Sequence, residues 1–159
     1  MEVPEFVTLF RDGGVRAWLD WEAVQRSAAM TVAEIYSADR NVLAEMFTVW
    51  YLTPSGARGD WRNAEDRPLR VHEADAARNV WTADRVARVD RLAKEYESFT
   101  QPVQLVLPAL VAAPGKLVLL DGNHRAVAAY RAGVEVRLFV FALDGAVTEE
   151  LMPDLRHYR

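Results

Sequence analysis

The sequence predicts an α+β chain: a mixed sheet with helices, preceded by a mainly helical N-terminal lobe. Three observations predict it. From residue 68 onward the elements read strand, helix, strand, strand, helix, strand, an order that belongs to a mixed sheet with helices. Before residue 50 the apolar residues recur mainly at helical spacing. Between the two, Pro54-Ser55-Gly56-Ala57-Arg58-Gly59 breaks the chain and divides residues 1–65 from residues 66–159. With 159 residues, 51% hydrophobic and 10% aromatic, the chain is long and apolar enough to bury a core.

In order, Glu5 to Phe10 reads as a short strand or extended arm, ended by the turn signal Arg11-Asp12-Gly13-Gly14. Val15, Trp18, Leu19, Val24, Ala28, Val32 and Ile35 recur at helical spacing, which predicts two helices over 15–36, broken near Met30-Thr31. A helix over Asn41 to Phe47 runs into the β-rich Thr48 to Leu52. Pro68 to His72 reads as a short strand. Thr82 followed by Asp84 marks a helix start, after which Val86, Val89, Leu92, Ala93 and Tyr96 share one face. Arg85, Arg88 and Arg91 lie on the other, interleaved with Asp84, Asp90 and Glu95, and read as a solvated face. Pro102 to Leu107 and Lys116 to Leu120 are two buried strands separated by Pro108 and by Pro114-Gly115. A helix from His124 to Ala132 ends at Gly133, a strand follows over Val134 to Leu143, and Thr148 to Leu155 closes the chain as a helix.

Composition removes several chemistries. The sequence has no cysteine, so disulfide scaffolds, thiolate nucleophiles and sulfur-based zinc sites are excluded. Three histidines, His72, His124 and His157, are few for a metal cage. The formal net charge of −4 argues against a nucleic-acid partner. All of that excess lies in residues 1–50, which hold 4 Arg against 8 Asp and Glu. No run of apolar residues reaches the roughly 18 needed to span a membrane, and the acidic start Met1-Glu2-Val3-Pro4-Glu5 is unlike a signal peptide. The expectation is a soluble cytoplasmic protein with no membrane partner.

The segment richest in chemistry is Leu119-Leu120-Asp121-Gly122-Asn123-His124-Arg125-Ala126. A strand ends in a carboxylate, turns on a glycine and enters a helix. Such a helix start offers unpaired N–H groups and a partial positive charge, which suit phosphate. Gly122 admits close approach, Arg125 grips phosphate oxygens, and His124 donates a further bond. Asp121 suits a divalent cation or a hydroxyl. A solvated Asp-Gly turn that merely caps a helix is the plain alternative.

This box, the helix carrying Arg91-Leu92-Ala93, the Gln101-Pro102-Val103 strand, the Lys116 to Leu120 strand and the trailing Ala128-Ala129-Tyr130-Arg131-Ala132-Gly133 together resemble the ParB/sulfiredoxin superfamily over residues 68–143. In that superfamily the box binds the phosphates of ATP, ADP or CTP. The sulfiredoxin branch needs a box cysteine, where this chain has Asn123. The partitioning branch adds a helix-turn-helix domain, and only 16 residues follow Leu143 here. Leu69-Arg70-Val71-His72-Glu73-Ala74-Asp75 is similar to the His-Glu pair of a third branch, the free serine kinases. The box departs from that branch by one position, reading Gly-Asn-His-Arg rather than Gly-His-x-Arg.

What the resemblance implies is a nucleotide-dependent phosphotransferase acting on a small hydroxyl metabolite, or a nucleotide hydrolase, with ATP, ADP or CTP and Mg²⁺ as cofactors. Glu73 would be the general base and Asp121 the holder of Mg²⁺ or of the hydroxyl, with Gly122, Asn123, His124 and Arg125 cradling phosphates. Asp121 and His124 join Glu73 as catalytic candidates, and His72 and Trp61 are assigned to the acceptor pocket. The N-terminal lobe is expected to shape that pocket or to form a homodimer face. His157 has no assigned role. The alternative class is a non-enzymatic, nucleotide-responsive ParB-like regulator or DNA-associated protein.

Overall fold

A computed structural model describes residues 1–11 and 18–159. The turn expected at Asp12-Gly13-Gly14 and the helix start at Val15 fall outside the described residues. Among the described residues six α-helices and six strands follow in the order α1 (Val3–Phe10), α2 (Trp21–Arg26), β1 (Thr31–Ser37), α3 (Arg40–Glu45), β2 (Phe47–Leu52), β3 (Arg67–Arg70), α4 (Val71–Ala76), α5 (Ala83–Glu97), β4 (Val103–Ala113), β5 (Lys116–Leu119), α6 (Asn123–Ala132) and β6 (Val136–Asp144). The fold is α+β. One mixed sheet runs β1-β6-β4-β5-β2-β3, with β6/β4 and β5/β2 parallel and the other neighbours antiparallel.

Alternation along the strands divides the interior in two. Leu105, Leu107, Ala109, Leu119, Leu138 and Val140 face α4, α5 and α6, while Phe47, Tyr51, Leu110, Val118 and Leu143 face α1, α2 and the C-terminal segment. No described helix is long and apolar enough to cross a membrane.

Four expectations are corrected. Glu5 to Phe10 belongs to a helix: Pro4 suits its first turn, and Val3, Phe6 and Val7 are buried at helical spacing. Thr31–Ser37 is a strand where a helix was expected, paired with β6 from Thr31↔Asp144 to Ser37↔Leu138. Its Thr, Val and Ile suit a pleated strand, and β6 supplies backbone partners that no local pattern reveals. Residues 1–65 thus contribute β1 and β2 to the common sheet besides α1, α2 and α3. Pro108 does not divide β4. Its carbonyl accepts Leu120 N–H at 2.8 Å, so its ring nitrogen points the same way, to where the chain leaves β5 and no ladder bond is required. Thr148 to Leu155 is not a helix. It winds through turns that bury Leu151 and Met152 and ends in a 3₁₀ turn over Leu155–Tyr158.

Two expectations rest on local chemistry and stand. The Thr82 hydroxyl accepts Arg85 N–H at 3.3 Å and caps α5. Gly133 ends α6 in the left-handed conformation, φ 68°. From residue 68 the strands β3 to β6 and the helices α5 and α6 come in the order read, but α4 is added, and it takes Val71 and His72 from the strand read over Pro68 to His72.

Candidate functional site

The site is built where β5 hands the chain to α6. Gly122 caps α6 with φ 81°, and a Cβ placed there would lie 2.6 Å from Leu107 Cδ2 and 3.1 Å from Arg125 Nη2. Glycine is therefore favoured by conformation, and any larger residue would also oblige the ends of the Leu107 and Arg125 side chains to shift. Asp121 accepts Gly122 N–H with Oδ1, and its Oδ2 lies 4.0 Å from Arg125 Nη2. Asn123 is only 6% exposed, and its Oδ1 accepts Val49 N–H at 3.0 Å. Asn123, expected to help cradle a phosphate, thus ties α6 to β2 through its amide oxygen.

His124 projects from the first turn of α6 edge-on to the Trp50 ring, with centroids 5.2 Å apart and planes at 72°. Trp50 comes from β2, the strand that Asn123 holds. Burial of the imidazole, with the charges of Arg88 and Arg85, lowers its pKa to about 4, and Asp121 opposes the shift. At neutral pH the ring is uncharged.

The arginines reach this place from α5 and the loop after β2. Arg85, expected on a solvated face, is half-buried, with its guanidinium 4.6 Å from the Trp50 centroid and 5.1 Å from that of Trp81. The indoles themselves are 5.4 Å apart, and Trp81 Nε1 donates to Ala74 O at 2.9 Å. Burial and the charge of Arg58 pull Arg85 below the ordinary guanidinium range. Among the described residues, Arg58, Arg85 and Arg88 have no carboxylate partner. Of the three acids that sequence reading interleaved with them, Asp90 turns away to Arg78 and to Arg131, 3.4 Å distant. Sequence reasoning missed Arg58, Trp50 and Trp81. The spacing of Arg85 and Arg88 was visible, but the rings on which Arg85 lies belong to other elements.

Glu73 and His72 sit on α4. Glu73 Oε2 accepts Arg70 N–H at 2.9 Å, and Oε1 takes the Arg67 guanidinium at 2.8 Å. Partial burial raises its pKa, but these two donors outweigh it and the net direction is down. The carboxylate thus does the work of a helix cap. Glu73→Gln is expected to cost about 1 kcal/mol of stability at neutral pH. Because the folded pKa lies below the unfolded one, the ionised form's contribution is present above the ordinary carboxylate value and lost as the pH falls through the folded value. Urea melts of both proteins should therefore converge in acid, and a gap that persists there would refute the capping role. His72 Nδ1 lies 2.9 Å from Ala44 O and 3.6 Å from Glu45 Oε1.

Trp61 packs on the other face of the sheet, stacked on Trp18 at 5.6 Å, with the Arg62 guanidinium 4.7 Å from its centroid. Its loop folds around the buried Asp66, which accepts Asp60 N–H at 2.8 Å and Asn63 Nδ2 at 3.1 Å. His157 is held in the same region, Nε2 2.7 Å from Trp61 O. The structure thus brings Asp121, Gly122, His124 and Arg125 together with Arg85 and Arg88. It places Trp61 on the far face and engages Glu73 and His72 with residues outside the box. Among the described residues no group of three or more His, Asp and Glu is placed to hold a metal. Comparison with family models, curated proteins and solved structures finds no match for the chain.

Proposed function

We propose that this protein binds the phosphates of ATP, ADP or CTP at the start of α6 and transfers the terminal phosphoryl group to the hydroxyl of a small metabolite, as the resemblance to the free serine kinases implies. The observation that carries the reading is that His124 and the Arg85 guanidinium meet on the Trp50 ring, with Arg88 in electrostatic range of His124 and Arg58 of Arg85, and with none of the three arginines in a salt bridge among the described residues. Like charges held together are relieved by a polyanion, and phosphoryl transfer depends mainly on positioning and charge stabilisation. Arg125 and the first N–H groups of α6 extend the same positive surface. Trp50 and Trp81 fix the plane of Arg85.

The donor set does not build a resident metal cage, so Mg²⁺ in this reading arrives with the nucleotide, and no step is assigned to it. Glu73 is the base implied by the resemblance. To accept a proton it must exchange the Arg67 or the Arg70 bond for the substrate hydroxyl.

Calorimetric titration with each nucleotide and Mg²⁺, followed by ³¹P NMR with a panel of small hydroxyl acceptors, tests the proposal. Saturable binding and a phosphorylated acceptor are expected, with Glu73→Gln sparing binding and removing turnover. Absence of binding for all three nucleotides overturns it, and binding with no turnover leaves a nucleotide-responsive regulator.

A further inference from the structure

We infer that the outer edge of β1 pairs antiparallel with β1 of a second copy of the chain, about a twofold axis at Glu34, so that two six-stranded sheets become one. The inference is independent of the phosphate-site reading. β1 ends the sheet, bonded to β6 on one side over seven consecutive residues, Thr31 to Ser37, with no shift of register. On its other side, among the described residues, no backbone group bonds to it. Such an edge presents a row of unpaired N–H and C=O groups, which proteins blunt with proline, lysine, a bulge or short length.

The two edges of this sheet differ in that respect. β3, at the opposite edge, has four residues, carries Pro68, which has no N–H to offer, and pairs with β2 through a broken register. β1 has no proline, no lysine, no glycine and no bulge. One edge is closed by its own sequence and the other is built to be paired.

The side chains of β1 suit its own antiparallel copy. An axis at the midpoint, Glu34, pairs all seven residues. Tyr36, 62% exposed, ends a row across three strands, Val106, Phe139 and Tyr36, with its ring edge-on to Phe139 at 5.5 Å. The row stops at the edge, and the partner's Val32 continues it as an aromatic against a β-branched side chain. On the helix-side face, where Ala33 and Ile35 pack against the core, Ala33 lies opposite the partner's Ile35. Thr31 meets the partner's Ser37. The Thr31 hydroxyl donates to Asp144 O and keeps an acceptor, whereas Ser37 Oγ accepts Asp39 N–H and keeps its proton to donate. At the axis Glu34 meets its own copy, the one unfavourable pair. Each carboxylate already holds the Met1 ammonium at 2.6 Å and the Tyr36 hydroxyl at 2.7 Å, which offset that repulsion. A foreign strand would find the same backbone groups, but only a second copy brings these partners at every position.

Sedimentation equilibrium of the full chain tests the inference. A dimer with a dissociation constant of about 1–100 μM is expected for a contact one strand wide. Tyr36→Lys should weaken it by at least about tenfold, while Phe99→Lys, on another exposed aromatic beyond the end of α5, should leave it unchanged. Because the chain has no cysteine, the register can be trapped without background. Under mild oxidation Glu34→Cys should give a covalent dimer, since its two copies lie about 4.5–5.5 Å apart between Cα atoms, and Ser37→Cys should not, since its copies lie about 20 Å apart. A chain that stays monomeric at about 500 μM overturns the inference. So does a dimer that Tyr36→Lys leaves intact, or one in which Ser37→Cys cross-links as readily as Glu34→Cys.

Discussion

Alanine in place of Asp154 is expected to destabilise the fold by about 3–5 kcal/mol. Asp154 is fully buried, and its oxygens accept the Tyr51 hydroxyl at 2.7 Å, the Tyr158 hydroxyl at 3.2 Å and Trp18 Nε1 at 3.1 Å. Removing the acceptor strands donors in an apolar layer, each costing about 1–3 kcal/mol, although the two tyrosines can still bond one another across 2.9 Å. Burial first, then Tyr158 and Asp154, hold the Tyr51 phenol far above its ordinary range, so it remains a donor at any pH the fold survives. The network also bears on the site. Lys116, at the start of β5, donates to Tyr158 O at 2.8 Å, so the strand that delivers Asp121 and Gly122 is anchored by the C-terminal turn. A melting temperature lower by about 10 °C is the expected readout in calorimetry, with Asp154→Asn losing markedly less because it keeps one acceptor oxygen. An alanine variant that melts within about 2 °C of the parent would show that this carboxylate contributes little.

Arg85→Ala is expected to weaken nucleotide binding by about 10–100-fold, the scale of one or two charge-assisted hydrogen bonds. The residue combines partial burial, an unpaired charge and a guanidinium plane set by two indoles. Lysine should not restore the loss, because a compact ammonium neither stacks on Trp50 and Trp81 nor presents a planar fork. Arg91→Ala, exposed on the same helix, should change the dissociation constant by less than about threefold. Both values are measured by calorimetry at fixed ionic strength, since added salt weakens any such contact. Equal affinities for Arg85→Ala and the parent protein would remove the central cation from the site.

The parts of the site that were legible in the sequence are those built by neighbours along the chain. Gly122 and Gly133 bound α6 because a left-handed residue at each end is a local demand, and Thr82 caps α5 through a bond to a residue three positions on. Other parts depended on contacts that spacing does not encode. Asn123, legible as a phosphate donor, spends its acceptor on Val49, 74 residues away. Glu73 reads as an exposed acid beside a histidine, and only its place at the third position of α4, with Arg67 within reach, turns it into a cap. Arg85 reads as one of three solvated arginines, because nothing local says that Trp50 will lie beneath it.

By itself the sequence determined the α+β class, the order of α5, β4, β5, α6 and β6, the start of α5 and the end of α6, and the meeting of a carboxylate, a glycine and two basic side chains at one helix start. Each follows from steric and hydrogen-bonding demands satisfied within a few residues. Only the tertiary structure decided that Thr31–Ser37 pairs with β6, that Tyr51, Asp154 and Tyr158 share one buried network, and that Arg85 and His124 meet on the Trp50 ring. The reason is common to all three. A strand's partner, a buried hydroxyl's acceptor and a cation's aromatic bed lie far off in the chain, and their free energy is realised only when packing excludes water from between them.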